Sequence, residues 1–107
     1  MIDPGRLNRR LVLEAPVETP DGAGGVTRAY SDVATIWAEV TPVAARGDVE
    51  AESAGATVTH RIRVRAGPAI TTQHRLRLDA RVFRIVSVRA HDRSGRFIDI
   101  HAEERVD

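Results

Sequence analysis

"THRIRVR", Thr59 to Arg65, sets Arg61, Arg63 and Arg65 in alternation with Ile62 and Val64. Side chains along a strand point to opposite faces in turn, so this segment reads as a strand with one oily face and one guanidinium face. The oily face needs a core. The arginine face has three physical options: water, a nucleic acid, or a neighbouring protein surface.

The same period of two runs outward in both directions. "RLNRRLVLEA" places Leu7, Leu11 and Leu13 on one face, with Arg10, Val12 and Glu14 opposite. "PDGAGG", Pro20 to Gly25, then supplies Asp-Gly and Gly-Gly steps that favour a turn. Next, Ile36, Ala38 and Val40 alternate with Trp37, Glu39 and Thr41. "RLRLD", "RVFRIVSVRA" and "RFIDIHAEE" follow, with turns at "DAR" and "HDRSGR". Six or seven short strands at near-regular spacing predict an all-β fold, a small antiparallel β-barrel or sandwich. Only "AARGDVEAESAGA", Ala44 to Ala56, breaks the rhythm. Asp48 suits the cap of a short helix over "VEAESA", and a long connection inside a compact β domain is often a functional one.

Composition narrows the function. The 107 residues are enough for one domain, spanning 1–107, with a real core. No apolar run approaches the ~20 residues of a membrane span, and the start of the chain lacks the oily centre of a signal peptide. The expectation is a protein made inside the cell with no membrane partner. Without Cys there is neither a disulfide framework nor a thiolate metal site. Sixteen basic residues, all Arg, face fifteen acidic ones for a net charge of +1, well short of a dedicated nucleic-acid binder. Arginine makes bidentate pairs with carboxylates and phosphates, which suits interfaces, and a GC-rich genome also favours it.

Catalytic chemistry is sparse. His60, His74, His91 and His101 show no paired metal spacing. "DIH", Asp99 to His101, puts a carboxylate and an imidazole on one strand face, which reads as solvated surface. "GAGG" leads into a strand and so lacks the helix N-terminus of a phosphate cradle. There is no nucleophile elbow, and "RGD" at Arg46 to Asp48 reads as coincidence in a charged loop. No catalytic residue, metal or cofactor is expected. A single-stranded nucleic-acid-binding barrel of the OB type is the more serious competitor, since bases stack on aromatic rings above a basic groove. Arg61, Arg63 and Arg65, with Arg75, Arg77, Arg84 and Arg89, would suit such a groove. Of the aromatics Tyr30, Trp37, Phe83 and Phe97, however, Trp37 and Phe83 sit in apolar stretches and are predicted in the core.

"GRLNRRL", "PDGAGGV", "WAEVTP", "THRIRVR", "FRIVSV" and "RFIDIHAEE" occur in this order along the chain. Together they resemble the phage head–tail joining family, the small stopper proteins of long-tailed phages, prophages and gene transfer agents. The resemblance runs from about Gly5 to Glu104 and rests structurally on Gly5, Leu7, Asp21, Gly22, Gly25, Trp37, His60 and Phe83. Two departures stand out. "AARGDVE" replaces a tighter Ser-Gly-x-Glu-like step, and Phe83 stands where Tyr is common.

The resemblance implies a homo-oligomeric ring, sixfold by expectation, assembled in the bacterial cytoplasm and then held at the head–tail interface of a virion or phage-like particle. The portal and its adaptor ring would lie above it, and the tail terminator or tail tube below. Double-stranded DNA would pass through the channel. The loop at about 44–56 is then the gating insertion, with Arg46, Gly47, Asp48, Val49, Glu50, Ala51, Glu52 and Ser53 at its centre. Its carboxylates would repel the backbone of passing DNA. The arginines of the opening stretch would pair with Asp99, Glu103 and Glu104 of the adjacent subunit, where repetition around a ring adds register. A tail-completion protein of similar barrel fold is the alternative within this class.

Overall fold

The computed structural model describes residues 6–43 and 58–105. Six strands, β1 (Arg9–Pro20), β2 (Val26–Pro42), β3 (His60–Arg65), β4 (Arg75–Leu78), β5 (Arg81–Ala90) and β6 (Phe97–Arg105), account for its regular structure. They form a closed barrel in the order β1-β2-β3-β6-β5-β4, with β4 returning to β1, and every pairing is antiparallel. Closure removes the unpaired edges an open sheet must protect. Of the two expected architectures, the barrel is the one formed.

The stretch that opened the sequence reading becomes β3, between β2 and β6. Ile62 and Val64 point inward to meet Leu11, Leu13, Ala38, Leu76, Phe83, Ile85, Ile100 and Ala102 in one core. Phe83 is fully buried, as expected, and meets the edge of the His60 ring at 5.1 Å between centroids. Trp37 departs from expectation: it is 55% exposed. Ile36 and Ala38 take the inward positions beside it, so strand periodicity outranks the apolar run in which Trp37 sits.

Turn chemistry follows the predicted punctuation. Asp21 Oδ1 accepts the N–H groups of Ala23 and Gly25, and these bonds hold its carboxyl below the usual carboxylate range. Gly22 and Gly24 sit at φ 83° and 87°, in the left-handed region that only glycine enters freely. Segment 44–57, which contains the predicted helix and Arg46 to Ser53, lies outside the described residues, as does Gly5.

The β1–β2 hairpin outruns the barrel. β4 pairs with β1 only over Val12–Glu14, and β3 pairs with β2 only over Ala38–Pro42. Ala15 to Pro20 and Val26 to Ser31 therefore pair only with each other. Six such pairs project roughly 20 Å at ~3.3 Å per residue, giving the molecule a long axis of 52 Å against 29 and 27 Å. The ribbon departs at a bulge: Leu13 faces Ala34 but Glu14 faces Asp32, leaving Val33 without an opposite number.

Candidate functional site

The outward arginines of β3 look first at their own sheet. Arg63 makes a forked pair with Asp99, Nε to Oδ1 at 2.6 Å and Nη2 to Oδ2 at 3.2 Å, and lies 3.8 Å from Glu39. His91 Nδ1 stands 3.2 Å from Asp99 Oδ2. Burial pushes the Asp99 carboxyl up, but the bonds from Arg63 and His91 outweigh it and hold the group below the usual range. Arg65 lies over the Phe97 ring at 5.6 Å. Arg61 stands in register between Thr41 and His101.

The carboxylates assigned to an adjacent subunit's arginines thus have partners within the chain. Asp99 belongs to Arg63, Glu103 to Arg84 at 3.3 Å, and Glu104 to Arg81 at 2.9 Å. The reason is positional. β3 is flanked by β2 and β6, and cross-strand neighbours on one face stand only ~5 Å apart. Behind this layer His60 is nearly buried, with Nε2 4.0 Å from Glu104, and burial lowers its pKa. Thr59 Oγ1 accepts the Glu104 N–H at 2.7 Å, tying the return from segment 44–57 to β6.

Glu14 was invisible to the sequence reading as anything beyond an outward residue. It does face outward, opposite Asp32 on β2 and Arg75 on β4, yet it is only 2% exposed. Arg75 and Arg77 close over it, Arg75 Nε donating to Oε1 at 2.5 Å and Arg77 Nη1 to Oε2. Two carboxylates directly opposed across strands repel. Here Arg77 resolves the conflict by also reaching Asp32 at 3.3 Å. Arg75 then stacks on the Tyr30 ring at 3.9 Å. The clue in the sequence was a lone carboxylate inside the oily run "LVLEAPV". Together these groups clamp the ribbon where it leaves the barrel.

At the other side of the hairpin's root is an apolar groove of about 510 Å³, lined by Leu7, Ile36, Trp37, Arg65, Ala66 and Pro68. Arg10 covers part of Trp37 at 5.7 Å. Farther out, Val17, Val26 and Val33 are 44%, 59% and 55% exposed. These side chains give the hairpin an apolar exposed surface. Among the described residues no group of three or more His, Asp or Glu is placed to hold a metal.

The phage head completion protein family matches residues 2–105. The chain belongs to that family. A chain in the virion of a native gene transfer agent particle is 38% identical to this head completion protein. That match covers 94% of this chain and 96% of the other, with a TM-score of 0.70. Protein SF1141 of Shigella flexneri 2a, solved in solution, is 24% identical over 96% of both chains, with a TM-score of 0.76, and shares the fold. No curated protein matches. The role is structural, in the head–tail region of a phage-type particle.

Proposed function

We propose that this head completion protein is a stopper: a subunit of a ring below the portal and its adaptor that retains packaged DNA and presents a surface to the tail. The observation that carries the reading is the bare ribbon. A two-stranded hairpin is marginal in water by itself, yet this one projects past the barrel with Val17, Val26 and Val33 exposed, while Trp37 and its groove lie open near the root. Ribbon tip and groove lie at opposite ends of one hairpin, so a contact joining them between copies is head-to-tail. Contacts of that kind close into rings when the rotation allows. Arg61 and Arg65, which lack a carboxylate partner among the described residues, remain the arginines of β3 available to such an interface.

Segment 44–56 supplies the gate in this proposal. Asp48, Glu50 and Glu52, repeated in each subunit, would line the channel with negative charge and keep DNA from adhering as it passes. The deciding experiment is electron microscopy, with a DNA assay, on particles from a producer lacking this gene. Separate tails beside empty or leaking heads support the stopper. Full heads without tails keep the joining role and move the gate to another protein, as a tail-completion role would. Normal full, tailed particles refute both. Deleting residues 48–54 isolates the gate: joined particles with leaking heads are expected, and full heads would refute the loop's role.

A further inference from the structure

A cleft of about 300 Å³ lies where the ribbon passes β4 and β5, and its lining includes Arg28, Tyr30, His74, Arg75, Arg84 and Arg105. We propose that this cleft binds phosphate groups of a duplex DNA backbone. It contains four guanidiniums and an imidazole, and no carboxylate lines it.

The register makes the concentration of charge deliberate in physical terms. Arg75 and Arg84 are directly opposed across β4 and β5, and like charges in that position destabilise a sheet. Each is drawn aside by a carboxylate outside the cleft, Arg75 by Glu14 and Arg84 by Glu103. Arg75 is further held over the Tyr30 ring, at 3.9 Å from its centroid. Arg28 pairs with Glu18 at 2.8 Å on the exposed ribbon, and Arg105 has no carboxylate partner among the described residues. A guanidinium carries five N–H donors and one carboxylate occupies at most two or three of them. Several donors around the cleft are therefore left to solvent. His74 adds another: the Thr71 N–H donates to its Nδ1 at 3.1 Å, so the ring's own proton resides on Nε2.

Phosphate fits the cleft better than a carboxylate does. A backbone phosphate offers more acceptor oxygens, and arginine forks match it bidentately. Contacts of this type fix position on DNA and read no sequence. The cleft is complete within one chain, so the proposal stands independently of the ring.

The test uses the purified full chain. Nitrogen-15 spectra would follow the Arg Nε signals and the 72–75 amides during titration first with inorganic phosphate and then with a short DNA duplex. Fluorescence anisotropy would give duplex affinity at several salt concentrations. Signals at the cleft are expected to shift with both ligands. The double variant R28Q/R105Q, which leaves the Glu14 clamp intact, should lose on the order of tenfold in affinity, and its salt slope should fall by about 2. R93Q/R96Q, in the turn between β5 and β6, should bind as the parent does. The proposal is overturned if both double variants weaken binding equally, since that means diffuse charge. It is equally overturned if cleft signals stay still with duplex, or if polyglutamate displaces the duplex and binds more tightly, which would make the cleft a seat for an acidic protein segment.

Discussion

Replacing Glu14 by Gln keeps the shape of the side chain and removes its charge at the root of the ribbon. Glu14 is 2% exposed and receives hydrogen bonds from two guanidiniums. Breaking a buried ion pair by removing one partner costs about 3–5 kcal/mol, and hydrogen bonds to charged groups contribute about 1.5–3 kcal/mol. Arg75 and Arg77 are each about one-third exposed, at 34% and 35%, so water recovers part of the loss. Removing Glu14 also ends its repulsion with Asp32, which Arg77 still reaches. The expected net cost is about 2 kcal/mol. With an unfolding entropy of roughly 2.1 cal/mol/K per residue, a chain of 107 residues should lose about 9 °C in melting temperature. Circular dichroism melts of parent and E14Q measure it, and amide exchange tells where the change falls. Val17 and Ala29, paired in the ribbon beyond the clamp, should exchange faster than Ile62 and Ile100 in the barrel. A melting temperature within 2 °C of the parent, with unchanged exchange in the ribbon, would refute the clamp.

Phe83→Ala should cost about 3–5 kcal/mol in urea unfolding, because a fully buried ring leaves a cavity that the closed barrel cannot collapse around. His60 makes stability depend on pH above the range where carboxylates act. Its folded pKa lies below the ordinary 6.5, first through burial, so the unfolded chain takes up the proton more readily and stability falls as pH drops through about 6.5. Melting between pH 7.5 and 5.5 should show that fall, with a smaller one in His60→Gln. Asp99 and Glu104, whose folded pKa values are lowered, act in a separate window: their contribution is full above the unfolded carboxylate pKa of about 4 and is lost below it. Trp37→Ser should leave the melt within a few degrees, since the ring is half exposed, but particles carrying it should fail to join heads to tails by electron microscopy. Normal particles would remove Trp37 from the interface.

The barrel was legible because period-two alternation survives through most of each strand, broken only at the bulges in the β1–β2 and β5–β6 ladders. Leu11 and Leu13, Ile62 and Val64, and Leu76 and Leu78 all lie in the core as their spacing requires. Trp37 shows the limit of reading by apolar neighbourhood: the alternation already placed it opposite Ile36 and Ala38, and that was the better guide. Arg63 shows another limit. Its outward direction could be read, but its partner Asp99 is 36 residues away and is chosen by strand order, which no local pattern encodes. The Glu14 clamp and the cationic cleft were hidden for the same reason. The clamp gathers residues from β1, β2 and β4, and the cleft from β2, β4, β5 and β6, strands that meet in this way only after the barrel closes. The family motifs pointed to head completion, whereas the pairing of Asp99, Glu103 and Glu104 with arginines of the same chain emerges only once the strands are in order.

β2 runs as one strand, interrupted in its pairing only by the bulge at Val33, from Val26 at the ribbon's tip to Pro42, one residue short of where segment 44–57 begins. At ~3.3 Å per residue, its 17 residues have a contour length of roughly 50 Å, backed by a ladder to β1 along most of that length. A load on the tip is carried in shear by many parallel hydrogen bonds and cannot peel them away one at a time. In the proposed stopper, a load from docking at the far end would reach the entrance of segment 44–57 through this one strand, by way of the bulge at Val33 where the ladder shifts by a residue.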